Sequence, residues 1–243
     1  MLPASARRLP VIDALRGFAI VQMIVFHFVY NLNQFGYVRV AVNGDQPWAT
    51  WRLAIVTQFL LLVGVSLVLR AAFKPAWSDF WRRWREIAGS AAVVSFGSWL
   101  VFGPHWIQFG ILHFIAVALI AARLLLPLGL WNLVLGGLVL ALGVSWSDPR
   151  FDTSPAYILG FATAPPSAED WVPLFPWFGV VLLGCALGDA WRRRGLPLAP
   201  ALRRIDASPP WVLRFLGSWP LTVYLSHEPI LVGLIWTYRE LFG

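Results

Sequence analysis

The chain has 243 residues, of which 58% are hydrophobic and 13% are charged, and its net charge is +7. A soluble globular domain carries about 25% charged residues, so this composition excludes an ordinary water-soluble fold and indicates a protein that lies in lipid. In a soluble protein such a charge would suggest nucleic-acid binding. In a membrane protein it indicates arginine-rich cytoplasmic loops, and we expect no nucleic-acid partner.

Seven segments are predicted as membrane-spanning helices, because about 20 mostly apolar residues cross a bilayer. The third segment is short, the seventh is interrupted near Trp219 and Pro220, and Gly184 and Gly188 in the sixth predict close helix packing within the chain. No repeat divides the sequence, so we predict one all-α polytopic domain over residues 1–243, a bundle of about seven transmembrane helices. In chain order the segments are residues 11–34, 49–71, 87–103, 107–126, 128–146, 173–191 and 211–238.

The basic residues predict the side of the membrane on which each loop lies, since cytoplasmic loops are enriched in Lys and Arg. With the N-terminus in the cytoplasm, most basic residues fall inside, and the seven spans place the C-terminus outside. The acidic residues Asp148, Asp152, Glu169 and Asp170 then also fall outside. The predicted cytoplasmic group is Arg7, Arg8, Arg70, Lys74, Arg82, Arg83, Arg85, Arg123, Arg192, Arg193, Arg194, Arg203 and Arg204.

The first span begins with DALRGFAIVQMIVFHF and carries polar side chains along one predicted helical face. Arg16 and His27 are eleven residues apart, which is three turns plus about 20°, so they share a face about 16 Å apart along the axis. Asp13 precedes Arg16 by three residues, a spacing that permits an ion pair. The same face continues to Tyr30 and Asn31. We expect it to line the bundle interior or a wet cavity.

The depths of these groups suggest two roles. Arg16 lies in the inner part of the span, where its planar guanidinium can bind a phosphate group. His27 lies in the outer half, and an imidazole can take a proton from a nucleophile near neutral pH. We therefore expect a ligand with a phosphate inside and a reactive end directed outward. The purely structural alternatives are an interfacial Asp13–Arg16 ion pair and a satisfied core histidine.

Other polar residues fall at a similar depth on four further spans. Gln58 lies in the second, His113 in the fourth and Trp177 at the outer end of the sixth. His227 and Glu228 lie near the middle of the seventh, where a carboxylate is costly unless it is paired or faces water. The sequence leaves open whether these groups share a cavity. Since the histidines lie on separate helices and no His-x-x-x-His spacing occurs, we predict no metal site.

Four ordered motifs, IDALRGFAIVQMIVFHF, FGILHFIAVALI, DWVPLFPWFGVVLLGCALG and LGSWPLTVYLSHEPIL, resemble the DUF1624 family. That family is related to the catalytic domain of heparan-α-glucosaminide N-acetyltransferase and to the bacterial YeiB-like proteins. The resemblance covers residues 8–235. It implies an integral acyltransferase, which we expect in a bacterial cytoplasmic (inner) membrane. Such a protein takes an acetyl or other acyl group from cytoplasmic acyl-coenzyme A and passes it to a sugar or other small acceptor outside.

With this resemblance, each candidate residue has an expected role. His27 is the expected general base, His113 or His227 positions the substrate or stabilises the oxyanion, and Glu228 orients a histidine. The residues expected at the acyl-coenzyme A donor are Asp13, Arg16, Arg82, Arg83 and Arg85. Those expected at the acceptor are Tyr30, Asn31, Gln58 and Trp177.

The sequence departs from the resembled lysosomal enzymes at one point. In those enzymes the position matching His27 is asparagine, and the essential histidine lies in the loop that follows. This chain has no histidine between Phe28 and His105, so either His27 takes over that role or the site differs. An acyl-histidine intermediate is a chemically allowed alternative to direct transfer.

Two other functions fit the same residues. A proton-coupled transporter would use the intramembrane histidines and Glu228 as a proton relay. A non-catalytic membrane subunit would pack against a larger complex through its many Trp and Phe side chains. A membrane-protein partner or a homodimer is compatible with each function.

Overall fold

The computed structural model describes residues 9–42, 46–73, 76–164, 166 and 170–242. Within these ranges all regular structure is helical, which confirms the all-α prediction. Arg7, Arg8, Lys74 and Glu169, which enter the charge pattern above, lie outside the described residues. The helices are α1 (Pro10–Gln34), α2 (Trp48–Phe73), α3 (Trp77–Phe102), α4 (Ile111–Leu125), α5 (Trp131–Ser145), α6 (Leu174–Arg193), α7 (Pro200–Ala207), α8 (Trp211–Ser218) and α9 (Pro220–Phe242).

Five helical segments are long and apolar enough to cross a membrane, judged by length and composition. They are α1, α2, α6, and α3 and α4 together with the short 3-10 turns that follow them. The fifth predicted segment, by contrast, contains α5, an apolar helix of 15 residues. The seventh is divided where Trp219 and Pro220 indicate a break, since α8 ends at Ser218 and α9 begins at Pro220. The count of seven spans and their sidedness stay predictions.

The predicted start of the third segment is wrong, because α3 begins at Trp77 and not at residue 87. The stretch WSDFWRRWREIAG is too polar to score as membrane-spanning, yet it is helical because its charges pair along the helix surface. Arg82 Nη2 lies 2.8 Å from Asp79 Oδ1, and Arg83 Nη1 lies 3.6 Å from Glu86 Oε2. Three predicted donor-binding residues therefore lie on the first turns of a helix and not in a loop: Arg82, Arg83 and Arg85.

Much of the apolar surface of α3 is exposed. Large exposed side chains follow one another along its second half. Exposure of such a continuous apolar surface to water is unfavourable, whereas its contact with lipid is favourable. The exposed residues in this half are Val93, Phe96, Trp99, Leu100, Val101 and Phe102.

The helices form two compact units. The first comprises the residues up to Phe59 together with those from Leu198 onward, and the second comprises residues 60–197. The first unit therefore contains α1, the beginning of α2 and the helices α7, α8 and α9. The second contains the rest of α2 and the helices α3 to α6. The assignment of the chain to one domain stays a prediction.

In the first unit the backbones of α1 and α8 are in direct contact. A Cβ atom added to Gly17 would lie 1.9 Å from the carbonyl oxygen of Leu213, and one added to Gly217 would lie 1.7 Å from that of Asp13. These distances leave no room for a side chain at either glycine. The contact fixes the position of the N-terminal part of α1, which carries Asp13 and Arg16.

The N-terminus of α1 is capped by α7. Leu9 occupies the N-cap position and supplies no side-chain acceptor. Instead the backbone N–H of Val11 donates to Oδ1 of Asp206 at 3.0 Å. A carboxylate at this end of a helix satisfies an otherwise unpaired N–H and interacts favourably with the helix dipole.

An apolar cluster holds the other half of α1. Phe26 packs there with Val42 and with Ile55 of α2, all three buried. This packing fixes the rotation of α1 about its axis at the level of His27. The partly buried residues around the cluster are Met23, Tyr30, Val40, Trp48 and Trp51.

In the second unit the glycine pair of α6 packs against α2. A Cβ atom added to Gly184 would lie 2.3 Å from the carbonyl oxygen of Leu61, and one added to Gly64 would lie 2.2 Å from that of Val181. Gly188, one turn after Gly184, faces the same helix. The prediction that this spacing serves packing within the chain is confirmed.

Candidate active site

Asp13 and Arg16 form the ion pair that their spacing predicts. Arg16 Nη1 donates to Asp13 Oδ1 at 2.9 Å. The same nitrogen donates at 2.9 Å to the carbonyl oxygen of Gly217, near the C-terminal end of α8. The two side chains are only 18% and 8% exposed. Arg16 therefore joins α1 to α8 and satisfies a carbonyl group that the end of α8 leaves without a helical partner, a role that the spacing does not reveal.

His27 lies beside His227 of α9. Their ring centroids are 4.9 Å apart and the rings are inclined by 74°, an edge-to-face arrangement. His227 is buried and His27 is half-buried. Two candidate catalytic histidines from opposite ends of the chain thus meet within the first unit.

Each of these imidazoles is oriented by a backbone carbonyl group of its own helix. His27 Nδ1 lies 2.9 Å from the oxygen of Met23, and His227 Nδ1 lies 2.6 Å from that of Tyr224. A carbonyl oxygen only accepts, so in both rings Nδ1 carries the hydrogen and Nε2 keeps its lone pair. His227 Nε2 is buried and has no hydrogen-bond partner among the described residues. Both rings are therefore set to act through Nε2, as a base or as a ligand.

Glu228 completes the cluster. Its Oε2 lies 4.0 Å from His227 Nε2, and its Oε1 accepts a hydrogen bond of 3.1 Å from Asn31 Nδ2. Asn31 lies one helical turn after His27 and is buried. Its amide holds the carboxylate in place beside the two histidines. Asn31, predicted to contact the acceptor, therefore has an observed partner in Glu228.

These three side chains could also hold a metal ion. One ligand atom from each of His27, His227 and Glu228 lies within 4.8 Å of the other two. The sequence shows no metal motif because its ligands would come from two helices far apart in the chain. Only the packing of α1 on α9 brings them together.

Gln58 lies away from the level at which the sequence places it. Its Nε2 donates to the carbonyl oxygen of Leu15 at 3.2 Å, and its Oε1 accepts from Gln22 Nε2 at 2.9 Å. Along α1, Gln22 is about 7.5 Å and Leu15 about 18 Å from His27. Gln58 therefore lies between one and three helical turns from His27, and the expected common level of the two residues is wrong. The role of Gln58 in acceptor binding stays a prediction.

His113 belongs to the second unit, where it takes part in a hydrogen-bond network at the start of α4. Its Nδ1 accepts from the N–H of Gly110 at 3.3 Å, and its Nε2 lies 2.9 Å from Ser95 Oγ. Ser95 Oγ in turn donates to the carbonyl oxygen of Ile107 at 2.7 Å. Both ring nitrogens of His113 therefore have structural partners. A catalytic role for His113 rests on the resemblance alone.

The other two predicted acceptor residues lie in different units. Tyr30 packs against the apolar cluster of α1 in the first unit, and its hydroxyl accepts from Gln34 Nε2 at 2.8 Å. Trp177 is half-buried near the start of α6 in the second unit. Their contact with an acceptor stays a prediction.

The family model described as heparan-alpha-glucosaminide N-acetyltransferase, catalytic, matches residues 8–229. The chain belongs to this family. The matched range contains every candidate residue described above and ends directly after Glu228. No curated protein and no solved structure matches the chain. Membership of this N-acetyltransferase family, together with five helices able to cross a bilayer, indicates an integral membrane protein with acetyltransferase activity.

Proposed function

We propose that the chain transfers an acetyl group from acetyl-coenzyme A on the cytoplasmic side to an amine or hydroxyl of a sugar-type acceptor on the other side. The observation that carries the proposal is that His227 and Glu228 of α9 meet His27 of α1. The same helix α1 also carries Arg16. The matching family supports transfer of an acetyl group to nitrogen. Buried ionisable groups in a membrane protein mark functional sites by default.

In this proposal His27 is the general base. Its Nε2 takes the proton of the acceptor as the acceptor nitrogen or oxygen attacks the thioester carbonyl carbon. The new bond to carbon forms, and collapse of the tetrahedral intermediate breaks the carbon–sulfur bond. Coenzyme A leaves as the thiolate and receives the proton that His27 took up. The bond from Nδ1 to the carbonyl group of Met23 keeps the imidazole in the required tautomer.

His227 and Glu228 support that base. When His27 becomes positively charged, the carboxylate of Glu228 lies close enough to stabilise the imidazolium. This interaction is stronger in a low-dielectric site than in water. Asn31 keeps the carboxylate in position through Oε1. The neutral His227, whose Nδ1 donates to Tyr224, can accept a hydrogen bond from the acceptor at Nε2, and it can donate one to the developing oxyanion only after a proton reaches that nitrogen.

The donor is proposed to lie along the polar face of α1. Arg16 is about 16 Å from His27 along the axis, so an elongated acyl-coenzyme A can place a phosphate near one and its thioester near the other. The arginines at the start of α3 would raise the local concentration of this anionic donor. Asp13 would orient Arg16 through their ion pair.

The proposed topology has seven crossings, with the N-terminus in the cytoplasm and the C-terminus outside. It adds α5 and the α8–α9 segment to the five candidate spans. The support is the distribution of arginine, which is enriched in cytoplasmic loops. We place the protein in a bacterial cytoplasmic membrane.

Donor binding can be tested on the purified chain in detergent. Acetyl-coenzyme A should raise the thermal midpoint saturably. At a hundredfold excess of donor over Kd, the added free energy of unfolding should be about 2.7 kcal/mol. The triple variant Arg82→Gln/Arg83→Gln/Arg85→Gln should bind more weakly. Arg204→Gln/Arg214→Gln, a control at two other exposed arginines, should bind as wild type. A folded protein that shows no stabilisation at millimolar donor contradicts the proposal.

A further inference from the structure

Three lone-pair donors converge at the α1–α9 contact. The Nε2 atoms of His27 and His227 keep their lone pairs because each Nδ1 donates to a backbone carbonyl group. Glu228 adds a carboxylate oxygen, and one ligand atom from each of the three side chains lies within 4.8 Å of the other two. We propose that these three side chains bind one divalent transition-metal ion, and that Zn²⁺ is the ion their donor set fits best.

His227 supplies the first reason. Its side chain is 6% exposed, and its Nε2 has no hydrogen-bond partner among the described residues. A buried polar atom without a partner is unfavourable, and such an atom aimed at a second imidazole and a carboxylate is suited to a cation.

The surrounding hydrogen bonds supply an independent reason. A histidine that binds a metal usually donates its second ring N–H to a carbonyl or carboxylate group, and a metal-binding carboxylate is itself hydrogen-bonded. All three side chains meet this condition. His27 and His227 donate to the carbonyl groups of Met23 and Tyr224, and Glu228 accepts from Asn31.

The donor set decides the class of ion. Two neutral imidazoles and one carboxylate, with a fourth position open to water, form a common arrangement for Zn²⁺. Mg²⁺ and Ca²⁺ prefer oxygen ligands, so they fit poorly. A tetrahedral zinc ion needs its ligand atoms roughly 3.4 Å apart. His227 Nε2 and Glu228 Oε2 are 4.0 Å apart and the three ligand atoms lie within 4.8 Å of one another, so the side chains must approach by up to about 1.4 Å to close the site on the ion.

Binding of the ion would have a consequence for transfer. A metal bound to Nε2 of His27 takes the lone pair that the base needs, so Zn²⁺ should inhibit acetyl transfer at the concentration at which it binds. This consequence rests on the proposed function. The binding itself does not, and it can be measured without any activity.

The test uses the full chain, purified in detergent and freed of metal by a chelator. Co²⁺ serves as a coloured probe, and its visible absorption reports a site of nitrogen and oxygen ligands. We expect one Co²⁺ per chain, displaced by Zn²⁺ and not by Mg²⁺. Glu228→Gln, which is nearly isosteric, and His227→Ala should each weaken Zn²⁺ binding by at least about 100-fold. Asn31→Leu should weaken it by about 10- to 100-fold.

His105→Ala, a histidine in the 3-10 turn after α3, is the matched control and should bind as wild type. The thermal midpoint of each variant without metal shows that it is folded. Absence of saturable binding to folded wild type, or binding that Glu228→Gln and His227→Ala leave unchanged, overturns the site. Stoichiometric binding without inhibition supports the site and instead counts against His27 as the base, so the two proposals fail separately.

Discussion

The imidazole rings of His27 and His227 lie with their centroids 4.9 Å apart, although their helices, α1 and α9, lie at opposite ends of the chain. Each ring is turned by a carbonyl group of its own helix so that Nε2 is the reactive atom. Two imidazoles and the adjacent carboxylate of Glu228 form a site that can take up a positive charge. A base for acyl transfer and a ligand set for a metal ion both need this property.

Glu228 should act on the rate of transfer and not on donor binding. Glu228→Gln keeps the size of the side chain and removes the charge that stabilises the protonated base. We expect kcat to fall by about 10- to 100-fold, less than removal of the base itself would cost. The donor-induced rise in thermal midpoint should be unchanged. Glu240→Gln, at an exposed position of the same helix, is the control. A raised KM with unchanged kcat would assign Glu228 to binding instead.

Arg16 should contribute to stability through its two hydrogen bonds. Arg16→Ala removes the bonds to Asp13 and to the Gly217 carbonyl group and leaves a buried carboxylate without this partner. We expect the free energy of unfolding to fall by about 2–4 kcal/mol. The measurement is a double-mutant cycle with Asp13→Ala, in which the double variant should lose less than the two single losses combined. Additive losses would show that the pair contributes no coupling.

The contact between α1 and α8 should depend on Gly17. Gly17→Ala places a methyl group 1.9 Å from the Leu213 carbonyl oxygen, so the helices must separate. We expect a loss of about 1–3 kcal/mol or more in the free energy of unfolding. Gly97→Ala in α3 is the control, since no described atom lies within 4 Å of its added Cβ. That change should be neutral or stabilise by up to about 1 kcal/mol. Equal midpoints for the two variants would refute the close contact.

The loop after α5 should titrate at an unusually low pH. Hydrogen bonds from the side chain and backbone of Arg150 lower the pKa of Asp148 from 3.8 to about 2. The carboxylate therefore stabilises the folded loop above pH 3.8, and this contribution is lost as the pH falls through about 2. In Arg150→Ala the pKa of Asp148 should rise toward 3.8.

Carbon NMR of the labelled carboxyl group against pH measures this titration directly. The pKa of Asp152, held low mainly by the hydroxyl of Thr163, should stay below 3.8 in the same variant and serves as the internal control. A pKa of Asp148 that does not move in Arg150→Ala would mean that the guanidinium is not its partner in solution.

Local features of the fold follow from the sequence because they depend on neighbours in the chain. The spacing of Asp13 and Arg16 predicts their ion pair, and Trp219–Pro220 marks the break before α9. The start of α3 could not be found by hydropathy, because the arginines that follow Trp81 lower the mean hydropathy of a segment that is nevertheless helical. Arg82 and Arg83 pair with acidic side chains one turn away, and hydropathy does not register such pairs.

The grouping of the site residues could be found only from the fold. Helical periodicity gives the face and depth of His27 on α1, but it does not tell which helix lies opposite that face. Depth alone favours His113, because the sequence places His227 and Glu228 slightly deeper than His27. The packing of α9 on α1 within the first unit nevertheless brings His227 and Glu228 beside His27. The contact of Gly17 with α8 joins distant parts of the chain, so no local pattern reveals it.

The most direct test is the rate at which the purified chain transfers acetyl from acetyl-coenzyme A to a glucosamine-type acceptor, in wild type, His27→Ala and His105→Ala. Acetylated product and released coenzyme A thiol are measured together. We expect transfer by wild type and His105→Ala, and a rate about 100- to 10,000-fold lower in His27→Ala with donor binding retained. Transfer by folded His27→Ala at the wild-type rate would contradict this expectation.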